Sequence, residues 1–87
     1  MIDIYALVQD GFMIKDGELY DRFGHSKYVK IQKRAFCSDE YVFDNYDLHE
    51  YTIQKRGWGG YWYLLRGYNE VCELIHLGGM NFKTRNL

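Results

Sequence analysis

Three histidines and two cysteines, His25, Cys37, His49, Cys72 and His76, are the side chains of this 87-residue chain best suited to hold a transition metal. A zinc centre needs about four such ligands converging, commonly with two of them closely spaced. The chain has no Cys-x-x-Cys, and its nearest local pair, Cys72 with His76, shares a helix face if a helix forms there. Nucleophilic catalysis needs a thiol or hydroxyl beside a base. Cys37-Ser38 with His49 downstream supplies the residue types, but no nucleophile elbow or phosphate loop surrounds them. Gly57, Gly59 and Gly60 follow one strand pattern and lead into another, Tyr61-Trp62-Tyr63, so they do not cradle a phosphate at a helix start. Asp44 and Asp47 suit turns and caps. The residues therefore point away from an enzyme, and no catalytic residue, metal or cofactor is expected.

A repeated tetrapeptide carries more information. Ile31-Gln32-Lys33-Arg34 and Ile53-Gln54-Lys55-Arg56 stand 22 residues apart, each preceded by a tyrosine (Tyr28, Tyr51). Each is also followed, two residues on, by an aromatic, Phe36 or Trp58. Strand alternation turns each isoleucine to one face and the glutamine and arginine to the other. Beside the second copy runs the aromatic tract Gly57-Trp58-Gly59-Gly60-Tyr61-Trp62-Tyr63. Trp, Tyr and Arg dominate binding hot spots because they combine large rigid area with a polar handle. The expected binding face is Gln32, Arg34, Gln54, Arg56, Trp58, Tyr61 and Tyr63. The competing reading has Trp58 folding back to close a tyrosine-rich core.

Charge patterning narrows the partner. Residues 1–25 hold five acids against two bases, residues 26–37 hold four bases and no acid, and residues 38–50 hold five acids and no base. The basic block can meet a phosphate run or an acidic protein patch, or simply pair with its acidic neighbours. A net charge of −1 and a pI near 6.3 are low for a nucleic-acid module. Binding of another protein, as a small inhibitor or regulator, is thus the first expectation. A single-stranded nucleic-acid binder, stacking bases on aromatics between Arg and Lys contacts, is the second. A homodimer is a further use of the same face.

The elements that must position these residues fit one small domain over 1–87. No apolar run approaches the ~20 residues of a membrane span, so no membrane partner is expected. The first residues do not read as a signal peptide, so a cytoplasmic protein with reduced thiols is expected. Only two alanines and no proline, against nine tyrosines, match the bias of AT-rich viral or mobile-element genomes. Asp16-Gly17 suits a type I′ hairpin that sets Met13 opposite Tyr20, Ile14 opposite Leu19 and Lys15 opposite Glu18. Residues 27–34 read as a strand with Val29 and Ile31 inward. Residues 50–56 and 61–66 read as a second hairpin with Tyr51, Ile53, Trp62 and Leu64 inward. Residues 38–49 stay open between helix and strand. Residues 70–77 read as a helix capped by Asn69, with a Val71, Leu74, Ile75 stripe and Gly78 as its stop. The tail over 80–87 frays unless Phe82 docks. Together these give an α+β fold, mainly β: a twisted antiparallel sheet or partial barrel with one short C-terminal helix.

Overall fold

The structure is a computed structural model that describes residues 1–85. Its first element is a short helix, α1 (Ile4–Asp10), which Asp3 caps by accepting a hydrogen bond from the Ala6 N–H at 3.2 Å. Eight strands follow: β1 (Phe12–Lys15), β2 (Glu18–Asp21), β3 (Ser26–Lys33), β4 (Glu40–Phe43), β5 (Tyr51–Arg56), β6 (Tyr61–Arg66), β7 (Asn69–His76) and β8 (Phe82–Thr84). Each pairs antiparallel with the next, and β8 pairs back onto β1, so the meander closes into a barrel. Closure removes the exposed edges that an open sheet of short strands would present.

Local chemistry explains the hairpins. Asp16 and Gly17 both hold positive φ, +50° and +81°, which gives the type I′ turn and the expected register, Ile14 opposite Leu19. The β5–β6 hairpin also keeps the expected pairing, with Ile53 opposite Leu64 and Gln54 opposite Tyr63. Ile14, Leu19, Val29, Ile53, Leu64 and Phe82 are fully buried along the barrel axis, and α1 adds Ile4 and Leu7 to the same core.

The expected α+β fold with a C-terminal helix is corrected to a mainly β closed barrel whose one α-helix among the described residues is N-terminal. Residues 69–76 are β7, paired on one side with β6 and on the other with β8. The Val71, Leu74, Ile75 spacing imitates a helical stripe because the register shifts at Leu64/Leu65, between the Leu65–Glu70 and Leu64–Cys72 pairs. That irregularity breaks the simple alternation of the strand. Two neighbouring strands supply backbone partners, and tertiary pairing overrides the local cap signals. Residues 38–49 divide between β4 and a 3-10 turn at Tyr46–Leu48, capped by Asn45. Phe82 does dock, and Phe82–Thr84 form β8; the last two residues of the tail lie outside the described residues.

Successive antiparallel strands sort the connections between two ends of the barrel. Turns 16–17, 34–39, 57–60 and 77–81 gather at one end, here the tip end. Turns 22–25, 44–50 and 67–68 lie at the other, with α1. Among the described residues, no helix is long and apolar enough to cross a membrane.

Candidate functional site

Strand β4 separates β3 from β5 and runs antiparallel to both, so β3 and β5 point the same way. They deliver the two copies of the tetrapeptide to the tip end. Ile31 and Ile53 anchor the copies in the core. The chain then turns back over Ala35–Ser38, where the Ser38 N–H donates to the Ala35 carbonyl at 3.1 Å and the Ala35 N–H donates to Ser38 Oγ at 3.2 Å. The second turn, Gly57–Gly60, closes through the Gly60 N–H on the Gly57 carbonyl at 3.3 Å. Phe36 and Trp58 ride on these turns and are 93% and 105% exposed.

The Trp58 turn is braced from behind. A Cβ on Gly59 would lie 2.5 Å from the Tyr61 ring, and one on Gly60 would lie 2.8 Å from Lys55 Cε. Only glycine lets both side chains close on this turn, and Gly57 and Gly60 also hold positive φ, +76° and +70°. Trp58 therefore projects from a supported turn, and its indole makes no hydrogen bond among the described residues. The reading of Trp58 as a core residue is set aside.

The other expected binding residues are partly occupied with one another. Arg34 Nε lies 3.0 Å from Glu40 Oε1. Gln54 is half-buried and donates through Nε2 to Glu40 Oε2 and to Thr52 Oγ1, each at 3.0 Å. Arg56 reaches along the outer face, donating to the Tyr68 carbonyl at 3.4 Å and lying 3.8 Å from Glu70. Tyr63 stands opposite Gln54 on one side and Glu73 on the other. Burial first, then the Glu70 and Glu73 carboxylates, hold its hydroxyl above the usual tyrosine range. Gln32 is exposed opposite Val42, and Tyr61 is half exposed beside the tip. The basic block at 26–37 and the acidic block after it thus pair in part, through Arg34 with Glu40, while Asp44 Oδ1 accepts from the Lys30 backbone N–H at 2.8 Å.

The structure brings Trp58 and Tyr61 to the tip end and leaves Gln32, Arg34, Gln54, Arg56 and Tyr63 on the barrel wall. It adds Phe36, Lys33 and Lys55, which the expected binding face omitted although the repeat itself marks them. It also buries Leu65 and its partner Thr52 on the outer side of the sheet, where alternation predicts exposure. Burial there follows no sequence signal.

The candidates for catalysis stay apart. Cys37 is at the tip end, whereas His49 follows the 3-10 turn at the helix end, stacked on Tyr46 with Nδ1 2.8 Å from the Tyr46 carbonyl. Cys72 lies half-buried opposite Leu64, and burial pushes its thiol up to about 11. Among the described residues, no three His, Cys, Asp or Glu side chains are grouped to hold a metal. At the helix end, Arg66 donates to Tyr5 Oη at 3.0 Å and to Glu50 Oε2 at 3.1 Å, tying α1 to the barrel. Comparison with protein-family models, curated proteins and solved structures finds no match to this chain.

Proposed function

We propose that this protein works without catalysis, by binding another protein at the tip end of its barrel, as a small inhibitor or regulator. The observation that carries this reading is Trp58: a fully exposed indole on a turn braced by Tyr61 and Lys55. A large aromatic side chain has few rotatable bonds, and a turn shaped before contact leaves less backbone to order on binding, which favours an anchor role. Trp58 adds nothing to the core, which Trp62, Tyr41 and Phe82 fill by packing on one another.

A protein partner is favoured over a nucleic-acid strand by the state of the arginines. Arg34 and Arg56, the arginines of the expected binding face, have acidic neighbours at Glu40 and Glu70. Those carboxylates repel a strand's phosphates and weaken the contact the arginines could make. Titration of a labelled mixed-sequence single strand at two salt concentrations tests this. Absence of binding at low salt supports the protein reading, and tight binding that falls log-linearly with salt overturns it.

A further inference from the structure

The repeat Ile-Gln-Lys-Arg-x-aromatic is duplicated in three dimensions as well as in sequence. In both copies the isoleucine is core, Ile31 at 4% and Ile53 at 0% exposure. Both lysines follow on the inward-facing side at the barrel mouth. Lys33 stands opposite Tyr41 and Lys55 opposite Trp62, and those two rings pack at 5.9 Å. Both arginines turn outward to a glutamate. Both units then end in a four-residue turn closed by the fourth N–H on the first carbonyl, with the aromatic in second place. Parallel strands with one strand between them stand roughly 10 Å apart, so the units form a matched pair of prongs.

Their charges differ in availability. The arginines have Glu40 and Glu70 beside them, whereas Lys33 and Lys55 form no ion pair among the described residues. Between the units lies Asp39, exposed, its carbonyl accepting the Lys55 N–H at 3.3 Å and its carboxylate likewise unpaired. The rim between the two units therefore offers plus, minus, plus between two aromatics. Such an alternation suits point charges fixed on a folded protein and is poorly matched to the continuous negative charge of a nucleic acid or an anionic membrane.

We infer that the two units are a duplicated contact device that seats Phe36 and Trp58 together on one protein surface, in two apolar pockets each flanked by a carboxylate for Lys33 or Lys55, with a basic group between them for Asp39. This rests on the protein-binding reading above and specifies its partner.

The test places the photoreactive residue p-benzoylphenylalanine at position 36 or 58 of the full chain and irradiates it in lysate of the source organism. Both positions should label the same protein, at two sites each neighboured by Asp or Glu. With that protein purified, Lys33→Glu together with Lys55→Glu should weaken the complex roughly tenfold or more at low salt, and Phe36→Ala and Trp58→Ala should each do the same. All four positions are exposed, and an unchanged melting temperature confirms that each variant folds. Labelling at 58 alone, or of different proteins from the two positions, overturns the paired device and leaves the protein-binding reading standing. An unchanged affinity in the lysine variant overturns the two flanking carboxylates. Labelling of nucleic acid or lipid, or none at either position, overturns both.

Discussion

Ile14 and Phe82 lie opposite each other across the seam between the first and last strands, and both are fully buried. The seam is short, with Met13 opposite Lys83 as its other register pair and the Phe12 N–H donating to Thr84 Oγ1 at 3.2 Å. Phe82 also packs against Trp62 at 5.1 Å and Tyr41 at 5.7 Å, so the closing strand and the floor of the tip end share one side chain.

Phe82→Ala should therefore cost about 3–5 kcal/mol, as a large-to-small change that both leaves a cavity and loosens the seam. Ile53→Ala, on the opposite wall, should cost about 2–4 kcal/mol. Urea denaturation of both variants is the measurement. A cost under about 0.5 kcal/mol for Phe82→Ala, the size of an ordinary surface substitution, would mean that the barrel does not close there.

How far the sequence reveals this fold depends on whether a signal is local. The Asp16-Gly17 turn and the β5–β6 hairpin are legible because register follows from turn chemistry and from alternation on a single face. Barrel closure is not, since the Ile14–Phe82 pair joins residues at opposite ends of the chain. The position of the helix is hidden for a related reason. Residues 70–77 carry cap residues and a mimic of a helical stripe, while Asp3 with Ile4, Leu7 and Val8 carries a quieter version of both at the true helix. At the site, the tetrapeptide and the glycine-flanked Trp58 are legible. The internal pairing of Arg34, Gln54 and Arg56 depends on Glu40 and Glu70, which only the folded register brings beside them.

Stability should fall in alkali. Burial raises the Tyr51 hydroxyl from 10 to about 12 and the Cys72 thiol from 9 to about 11. Both groups favour folding while neutral, so their contribution is complete below the unfolded values and is lost as pH rises through the folded ones. The urea midpoint should therefore decline from pH 9 upward, and Cys72→Ala should flatten the part of that decline between pH 9 and pH 11. A midpoint equally pH-dependent with and without Cys72 would contradict the thiol's part in it.

The two cysteines should also react unequally. Cys37 is exposed on the Phe36 turn, whereas Cys72 is half-buried opposite Leu64 with a thiol that resists ionisation. Because the thiolate is the reactive form, iodoacetamide at neutral pH should modify Cys37 well before Cys72. Peptide mass spectrometry over a time course reads the order directly, and equal rates would place Cys72 in the open.

Gly59→Ala probes the bracing of the tip. Its added Cβ would meet the Tyr61 ring at 2.5 Å, so Tyr61 must move and the turn beneath Trp58 loosens. Tyr61 is half exposed, so the melting temperature should change little while partner affinity drops. A variant that binds as well as the parent would show that a preset turn is unnecessary.

Binding of the partner to Trp58→Ala tests the proposed function most directly. The complex should weaken by about 2 kcal/mol or more while the melting temperature of the free protein stays nearly unchanged. Affinity equal to that of the parent would contradict the assignment of Trp58 as the anchor, and a large fall in melting temperature would show that the indole serves the fold instead.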